Sequence, residues 1–342
     1  MSKKFTLGIV GVRGYVGREL LALLANSKHI QIDWVSSRQL EGKPLSHLVS
    51  NSDSNSVIDN EDFIAPEIEE DHYYKNLKIE NLSTSDIANK KTDVVVLALP
   101  NGLAQPFVDA IEQTGETKII IDLSADYRFD DQWIYSVPEL LSADKINDIG
   151  KQKLIKISNP GCYATAMQVG LAPLVEHIKQ PAHCFGISGY SGAGTTPSKN
   201  NDPKNLNNNI LPYALLEHIH EKEVAYQLNC ELSFSPHVAA FFRGINMTFQ
   251  LELNQRWTIE KLQQHFEDFY QQSALIKVSS EVPNIQQVIN TNDCLVGGFK
   301  LSQNGKRCSF VSCLDNLLKG AASQALQNIY LALGLELSLK SN

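Results

Sequence analysis

The sequence has little of what marks a membrane protein or a nucleic-acid-binding protein. No run of about 18 apolar residues occurs, so no membrane-spanning helix is expected. The net charge is −8 and the Lys and Arg residues form no basic stripe, so nucleic acid is not an expected partner. The opening MSKKFTLGIVG has no apolar signal-peptide core, which predicts a cytoplasmic location.

Signals for disulfides and for metal ions are also missing. The 6 cysteines include no C-x-x-C pair, and a chain of this length can bury a core without disulfides, so we expect thiols. His218 and His220 form an H-x-H pair, but no third ligand is evident near them, so no metal is predicted.

What is present, first, is an alternation of strand and helix patterns. KFTLGIVG and IQIDWVSS are typical of strands, and GYVGRELLALLANS between them has apolar residues at helical spacing. The later runs TDVVVLALP and TKIIIDLS are typical of strands in a parallel sheet that is covered on both faces. We predict an α/β protein with a Rossmann-type parallel sheet domain and an α+β catalytic domain that contains a mixed or antiparallel sheet.

Two further stretches carry simpler expectations. Residues 50–90 are polar and acidic, which predicts a solvated loop or surface insertion without chemistry. The last apolar stretch, NLLKGAASQALQNIYLALGLEL, predicts one long helix that returns to the first domain.

A glycine-rich turn joins the first predicted strand to the first predicted helix. GIVGVRGYVGREL places Gly11, Gly14 and Gly17 three residues apart, where they would let a pyrophosphate approach the amides of a helix N-terminus. The spacing is G-x-x-G-x-x-G, not the commoner G-x-G-x-x-G. Its place between strand and helix favours dinucleotide binding over a purely structural turn.

The end of the second strand indicates which dinucleotide would bind. NAD sites usually have an acidic residue there, whereas this sequence has Ser36, Ser37 and Arg38, and Asp33 lies too early in the strand. Arg can hold a 2′-phosphate through two hydrogen bonds, so the predicted cofactor is NADP(H). The alternative is that Arg38 is a surface cation.

One cysteine stands at a position suited to chemistry. In ISNPGCYATA, Cys162 follows a Pro-Gly turn and precedes small, helix-tolerant residues. A helix that starts there would stabilise a thiolate through its N-terminal dipole, and its amides could hold an oxyanion. A thiolate combined with a nicotinamide cofactor predicts an acyl-thioester that hydride reduces to an aldehyde.

A cysteine nucleophile needs a base, and LEHIHEKEV offers one. It contains His218 and His220, with Glu223 three residues after the second histidine. The residues do not decide which histidine carries the proton. His237, in FSPHVAAFFRGI, is more typical of a structural, hydrogen-bonded histidine.

Two other features are candidates for binding an anionic substrate. The stretch SGYSGAGTTPS is rich in Gly and hydroxyl groups and could surround a phosphate or carboxylate with donors, or be a flexible connection. Arg243 could pair with a substrate anion or form a surface ion pair.

At this point the motifs together resemble the N-acetyl-gamma-glutamyl-phosphate reductase family over nearly the whole chain. The blocks that carry the resemblance, in order, are GIVGVRGYVGREL, DVVVLALPNG, IIDLSADYRF, SVPEL, SNPGCYATA, SGYSGAG, FSPH with RGI, and DNLLKGAASQALQN. The family pattern H-R-H-x-P-E-I reads HIHEKEV here, with Ile219 in place of the Arg and Lys222 in place of the Pro.

The resemblance implies a cytoplasmic, homodimeric or homotetrameric enzyme of arginine biosynthesis. It implies an NADP-binding domain over 1–161 and 315–342, with the catalytic and oligomerisation domain at 162–314. The reaction would be NADPH-dependent reduction of N-acetyl-L-glutamyl 5-phosphate to N-acetyl-L-glutamate 5-semialdehyde and phosphate.

Together with the arguments from individual residues, the resemblance predicts three groups of site residues. The catalytic residues are Cys162, His218, His220 and Glu223. The cofactor-binding residues are Gly11, Gly14, Tyr15, Val16, Gly17, Ser36, Arg38 and Pro100, and the substrate-binding residues are Ser188, Ser191, Gly192, Gly194 and Arg243.

Two rival functions stay open on the sequence. One is a reductase of a related acyl phosphate, such as aspartyl phosphate or a carrier-linked amino-acid phosphate, with the same chemistry and a different substrate site. The other, from a different class, is a Rossmann protein that senses NADP(H) without catalysis. Replacement of Cys162 by Ser separates them, because only an enzyme would lose its function.

Overall fold

The structure of the protein is a computed structural model. It describes residues 4–25, 27–49 and 77–337. The chain folds into two compact units, which we call the first unit (the described residues up to Pro160, with Ala322–Leu337) and the second unit (Gly161–Ala321). The resemblance implies a cofactor-binding domain at 1–161 and 315–342 and a catalytic domain at 162–314, and this assignment of functions to segments stays a prediction.

The first unit is built on a parallel sheet. Its strands are β1 (Phe5–Val10), β2 (Ile30–Ser36), β3 (Val94–Leu97), β4 (Ile119–Asp122), β5 (Ile134–Tyr135) and β6 (Ile155–Ser158). Among the described residues they lie in the order β2-β1-β3-β4-β6-β5, and every pairing is parallel. All residues of β3 and β4 are buried, as expected for a sheet covered on both faces.

The helices between these strands are α1 (Tyr15–Ala25), α2 (Ser46–Val49), α3 (Thr84–Asn89), α4 (Gln105–Thr114) and α5 (Ala143–Ile149). Strand β1 lies at a point where the order of strands changes direction, since β2 and β3 pair with its opposite edges. Ligands of open α/β sheets bind outside the carboxyl ends of the strands at such a point. The glycine-rich turn follows β1 directly at this edge.

Part of the polar stretch at 50–90 is folded, contrary to the prediction. Residues 50–76 lie outside the described residues. In the remainder, Glu80 forms a bridge with Ser36, and Ser83 and Asp86 form a capping box at the start of α3. Ile79 and Ile87 are buried. The prediction of a solvated loop is wrong for 77–90, because two isolated apolar side chains and a good helix cap are enough to dock a polar segment.

The second unit contains a mixed sheet, as predicted. Its strands are β7 (Ile178–Gly189), β8 (Ile210–Pro212), β9 (Leu232–Ala239), β10 (Ile245–Leu253), β11 (Ile276–Ser279), β12 (Cys294–Leu301) and β13 (Arg307–Leu314). They lie in the order β11-β12-β13-β10-β7-β9-β8, with β11–β12 and β7–β9 parallel and the other pairs antiparallel. Its helices are α6 (Cys162–Leu171), α7 (Pro203–Leu206), α8 (Ile219–Leu228) and α9 (Ile259–Tyr270).

One face of this sheet carries the core of the second unit. Burial alternates along β10, where Met247, Phe249 and Leu251 point inward. Phe249 stacks on Phe310 of β13 with ring centroids 4.7 Å apart, and Phe266 of α9 meets Phe310 edge-on at 5.3 Å. Helix α6 also packs on β10 and β13 and is buried along almost its whole length. This packing fixes the first turn of α6, where Cys162 lies.

The last apolar stretch is helical from Leu318 to Ala332, as the pattern predicted, but its first turn is a π-helix and not an α-helix. A π-helical turn at Leu318–Ala322 comes first, and helix α10 (Ser323–Ala332) follows. Helix α10 belongs to the first unit, where it packs on α1 and the Tyr330 hydroxyl hydrogen-bonds Ser27 Oγ at 2.9 Å. Periodicity alone does not show the π turn, because its residues continue the same apolar pattern. In the part of the chain that the structure describes, no helix is long and apolar enough to cross a membrane.

Candidate active site

Cys162 is the first residue of helix α6. The preceding residue, Gly161, caps the helix in an extended conformation (φ −72°, ψ 153°). The thiol is half-buried, whereas the other five cysteines are buried. A sulfur at this position lies at the positive end of the helix dipole, which favours the thiolate.

Burial keeps several other thiols in the neutral form. It raises the pKa of Cys230 to about 11 and that of Cys308 and of Cys313 to about 12. Burial also raises the pKa of Cys184 far above its usual range. These four thiols are protonated at neutral pH, so they are unsuited to act as nucleophiles.

The π-helical turn packs directly against Cys162. A Cβ added to Gly320 would lie 2.8 Å from the Cβ of Cys162, a distance that real side chains do not tolerate. Glycine at 320 therefore leaves the room that Cys162 occupies. The sequence showed Gly320 only as part of the DNLLKGAA block, and nothing in it indicated this contact.

Glu223 holds the residue that precedes the cysteine. Its side chain is fully buried in α8, and its Oε1 accepts the N–H of Gly161 at 2.9 Å. A carboxylate this deeply buried needs such partners, and hydrogen bonds to a charged acceptor are stronger than neutral ones. Glu223 thus ties helix α8 to the start of helix α6.

His218 is the N-cap of α8, and its ring is held in one protonation state. Its Nδ1 accepts the backbone N–H of His220 at 3.1 Å. Burial lowers its pKa to about 4, so the ring is neutral at neutral pH. Because Nδ1 is an acceptor, the proton of the neutral ring is on Nε2. His218 can therefore donate a hydrogen bond from Nε2.

His220, in the first turn of α8, lies beside His218 with ring centroids 4.9 Å apart. The ring of Tyr163 meets both histidines, at 6.3 Å from His218 and 6.2 Å from His220. Tyr163 follows Cys162 in the chain, so it links the cysteine to both rings. The structure thus brings the four predicted catalytic residues, Cys162, His218, His220 and Glu223, into one cluster within the second unit.

The predicted Gly- and hydroxyl-rich loop forms an internal network. Ser188, near the end of β7, donates from Oγ to the carbonyl oxygen of Gly189 at 2.9 Å, and the Ser191 Oγ accepts from Asn316 Nδ2 at 2.9 Å. Both serines are buried. The neighbouring Gly192 packs against Ser188, and Gly194 has a positive φ of 76° with open space around it. Contacts of these four residues with substrate stay a prediction.

Arg243 is buried and bound to groups of the protein. Its Nε lies 3.2 Å from Asp315 Oδ2, and its Nη1 donates to Asn290 Oδ1. Burial raises the pKa of Asp315, and the charge of Arg243 opposes that rise. These partners favour an anchoring role within the second unit, and a contact with a substrate anion stays a prediction.

In the first unit, the three glycines after β1 have distinct surroundings. A Cβ on Gly11 (φ +86°) would lie 2.2 Å from the carbonyl oxygen of Ala98, and one on Gly17 would lie 2.9 Å from Val12. At Gly14 the nearest neighbour would be 3.8 Å away, so this position is open. Two glycines thus allow tight packing of strand and helix, and Gly14 leaves the start of α1 accessible to a pyrophosphate.

The other predicted cofactor residues lie at the same edge of the parallel sheet. Tyr15 and Val16 begin α1, and Pro100 is exposed in the loop after β3. Ser36 is buried at the end of β2, and its Oγ accepts the N–H of Leu82 at 3.2 Å. Arg38 is exposed in the short 3-10 turn that follows β2, where a ribose phosphate would be met. The residues present therefore fit a phosphorylated dinucleotide, with Arg38 better placed than Ser36.

A metal site is not evident in the described residues, where no group of three or more His, Cys, Asp and Glu side chains could hold an ion.

Two protein-family models match the chain. The NAD binding domain of semialdehyde dehydrogenases matches residues 6–149, and the semialdehyde dehydrogenase dimerisation domain matches residues 162–316. Among solved structures, aspartate semialdehyde dehydrogenase II from Vibrio cholerae has a TM-score of 0.73 at 17% identity over 97% of this chain and 99% of its own. The Candida albicans enzyme, solved with NADP, has a TM-score of 0.72 at 15% identity over 97% of this chain and 99% of its own. These likenesses confirm the predicted fold.

Curated relatives are much closer in sequence. The N-acetyl-gamma-glutamyl-phosphate reductase of Xanthomonas euvesicatoria is 45% identical over 96% of each chain. The enzyme of the same name from Stenotrophomonas maltophilia is 46% identical over 97% of this chain and 96% of its own. Arg-6, a mitochondrial protein of Neurospora crassa, is 41% identical over 98% of this chain and 36% of its own length. The chain belongs to the N-acetyl-gamma-glutamyl-phosphate reductase family of semialdehyde dehydrogenases.

Proposed function

We propose that this protein reduces N-acetyl-L-glutamyl 5-phosphate to N-acetyl-L-glutamate 5-semialdehyde and phosphate with NADPH, as a step of arginine biosynthesis. The observation that carries the proposal is the cluster around Cys162, in a chain 45% identical over 96% of its length to a reductase of that name. A half-buried thiol at a helix N-terminus, with two histidines and a buried carboxylate, suits acyl transfer to sulfur.

Cys162 acts as the nucleophile. Its sulfur forms a bond to the acyl carbon, and the carbonyl π electrons move to oxygen. When that electron pair returns, the bond to the phosphate oxygen breaks, phosphate leaves, and a thioester remains on Cys162. After reduction of the thioester, the carbon–sulfur bond of the hemithioacetal breaks, which releases the aldehyde and restores the thiolate. The positive end of helix α6 stabilises the sulfur anion at the start and at the end.

The two histidines divide the work between them. His218 cannot accept a proton readily, because its pKa is lowered to about 4 and its Nδ1 already accepts a hydrogen bond. It acts as a neutral donor from Nε2 and orients the substrate oxygen. His220 is therefore the proton carrier. It takes the thiol proton before attack, gives it to the oxygen of the hemithioacetal after reduction, and takes it back when the hemithioacetal collapses.

Glu223 positions the nucleophile. Its bond to the Gly161 amide fixes the turn that aims Cys162, and it lies one turn after His220 on α8.

The cofactor is held by the first unit. The turn at Gly11, Gly14 and Gly17 with the start of α1 binds the pyrophosphate, and Arg38 binds the 2′-phosphate, which selects NADPH. NADPH, when bound, supplies the hydride for the reduction.

Self-association belongs to the second unit. The matching family model describes this part of semialdehyde dehydrogenases as a dimerisation domain. The sheet face opposite α6 carries Phe185, which is 42% exposed and packs on the ring of His237 at 4.6 Å. This face is the proposed contact surface of a homodimer, which could associate further into a homotetramer. A cytoplasmic location stays a prediction.

A reverse assay tests the proposal. The purified protein is given NADP, phosphate and N-acetyl-glutamate semialdehyde, and NADPH formation is followed by absorbance. The expected result is a phosphate-dependent rate at least about a hundredfold above that with aspartate semialdehyde, since a site built to hydrogen-bond the acetamido group rejects a substrate that lacks it. Equal or faster turnover of aspartate semialdehyde would refute the assignment, and no turnover of either would support a non-catalytic role.

A further inference from the structure

The block IIDLSADYRF contains polar residues to which the proposed reaction gives no task. Asp122 is the last residue of β4, and Ser124 and Asp126 follow it in the next loop. Asp122 and Ser124 are buried, and Asp126 is half-buried. Because the carboxyl ends of parallel strands meet at one edge of a sheet, these residues lie at the edge that also carries the glycine-rich turn.

The loop that follows β3, residues 98–104, borders the place where the cofactor is proposed to bind. We call it the β3 loop. The N–H of Ala98 donates to the carbonyl oxygen of Val10 at 2.8 Å, and the carbonyl oxygen of Ala98 would lie 2.2 Å from a Cβ on Gly11. Strand β3 pairs with β1 on the side opposite β2, which is the point where ligands of such sheets bind. Residues 100–103 of the loop are exposed.

Both carboxyl oxygens of Asp126 accept backbone N–H groups of the β3 loop. Oδ1 accepts the N–H of Gly102 at 2.6 Å, and Oδ2 accepts that of Ala104 at 3.1 Å. Ala104 is the N-cap of α4 and has no side chain that could accept a hydrogen bond, so Asp126 supplies an acceptor at the start of this helix. A third bond runs from the N–H of Ala125 to Asn101 Oδ1 at 3.0 Å. Three hydrogen bonds thus join the two loops.

Asp126 is itself held by the buried end of β4. Its N–H donates to Ser124 Oγ at 3.1 Å, and Ser124 Oγ donates to Asp122 Oδ2 at 2.7 Å. The N–H of Ser124 donates to the other oxygen of Asp122 at 3.2 Å. Hydrogen bonds therefore run without a break from the buried sheet to the exposed β3 loop, and Asp126 is the residue that connects the two.

We propose that Asp126 is a positioning residue for NADPH, which holds the β3 loop in the conformation that borders the bound cofactor. An exposed loop that is not fastened samples conformations that do not bind, and the apparent Kd rises as the competent fraction falls. With Asp126 in place, the loop is ordered before the cofactor arrives. Asp126 contacts neither substrate nor reacting atoms. The inference rests on the proposed binding of the cofactor by the first unit.

Two substitutions and one control test this role. Asp126→Ala removes both acceptors. Asp126→Asn keeps one acceptor oxygen and replaces the other with an NH₂ donor, which cannot pair with a backbone N–H. Asp130→Ala is the matched control, because Asp130 lies four residues further along the same segment and its carboxyl group accepts a backbone N–H outside the β3 loop, that of Gln132, at 2.8 Å.

The first measurement is the Kd of NADPH, obtained by fluorescence titration of the full-length protein without substrate. If the competent fraction falls to about a tenth, Kd in Asp126→Ala rises about tenfold, and we expect at least this rise. Asp126→Asn should raise Kd by a smaller factor, at least about threefold, because it keeps one of the two bonds. Asp130→Ala should match the wild type.

The second measurement is hydrogen exchange of the protein without cofactor, followed by mass spectrometry. The peptide that contains Gly102 and Ala104 should exchange faster in Asp126→Ala than in the wild type, because both amides lose their acceptor. Faster exchange with a Kd within about twofold of the wild type would show that Asp126 only stabilises the loop, and would overturn the positioning role. Unchanged exchange would overturn it as well.

The outcomes also separate this inference from the proposed function. If Asp126→Ala does not fold, Asp126→Asn undergoes the same two measurements, and an unchanged Kd in that variant would overturn the role. Neither measurement involves turnover, so a failed reductase assay would refute the proposed function and leave the test of Asp126 intact. A wild-type protein that does not bind NADPH would overturn both.

Discussion

The cofactor edge of the first unit and the cysteine cluster of the second unit are built in different ways. The cofactor edge is one short stretch, in which the absence of side chains matters: a Cβ at Gly11 would strike the carbonyl oxygen of Ala98. The cysteine cluster is assembled from segments far apart in the chain, among them Gly161–Tyr163, His218–Glu223 and Gly320. A site made by local backbone can be recognised from sequence, whereas a site made by side chains from several elements needs the fold.

The largest effect should follow from removing the sulfur. Cys162→Ser should lower kcat of the reductase by at least about a thousandfold, because a serine hydroxyl is poorly activated where a thiolate is favoured. NADPH binding, measured by fluorescence titration, should not change, because the cofactor residues lie in the other unit. Activity within tenfold of the wild type would show that Cys162 is not the nucleophile and that the reaction does not take place at the cysteine cluster.

The next effect should come from the glycine that packs on the cysteine. Gly320→Ala places a methyl group 2.8 Å from the Cβ of Cys162, so the sulfur must move. Displacement of a reacting group by about 1 Å can cost about a hundredfold in rate, and we expect a fall in kcat of that order. Gly150→Ala is the control, since a Cβ there has no neighbour within 4 Å and needs no positive φ. Equal kcat values for the two variants would mean that Gly320 does not shape the site.

Arg38→Ala should affect the other region alone. The loss of a charge-assisted contact to the 2′-phosphate should raise KM for NADPH at least about tenfold and reduce the preference of the enzyme for NADPH over NADH. The rate at which Cys162 is alkylated should not change. A Cys162 that becomes less reactive in this variant would contradict the separation of the two regions.

The fold and the cofactor edge could be predicted from the sequence to a large extent. Continuous apolar runs mark β3 and β4 because both faces of a parallel sheet are covered, and Gly11, Gly14 and Gly17 act within a single turn. The exception at this edge is Ser36, whose hydroxyl accepts from Leu82, a residue 46 positions away that no local pattern links to it.

The cysteine cluster was predicted only in its members. Which histidine is neutral depends on one hydrogen bond at the start of α8 and on burial, and neither is encoded by the spacing H-x-H. The contact of Gly320 with Cys162 could not be predicted either, because the apolar pattern does not show that this helix begins with a π turn.

The smallest effect on activity, but a clear one on stability, concerns pH. In the folded protein the pKa of His218 is about 4, below its ordinary value of 6.5. Between these two pH values the unfolded chain is protonated at His218 and the folded protein is not. As pH falls from about 6.5 to about 4, His218 therefore lowers the free energy of unfolding by up to about 3 kcal/mol. Asp122 has the opposite effect on stability. Burial raises its pKa to about 6, so the folded protein binds this proton before the unfolded chain does, and stability rises as pH falls through this range.

The contribution of His218 to this pH dependence can be measured with the variant His218→Asn, because Asn keeps a side-chain acceptor suited to an N-cap. Urea unfolding at neutral and at mildly acidic pH should show a smaller acid loss of stability in the variant than in the wild type. Identical losses would indicate that His218 is protonated in the folded protein, and His218 would then again be a candidate proton carrier.

The most direct test of the account is to trap the acyl group on the protein. The enzyme is mixed with N-acetyl-L-glutamyl 5-phosphate in the absence of NADPH, quenched in acid, digested and examined by mass spectrometry. The account predicts an N-acetylglutamyl thioester on the peptide that contains Cys162, and none in Cys162→Ser. An acyl group on a different residue, or no covalent adduct while the same preparation turns over substrate with NADPH, would contradict it.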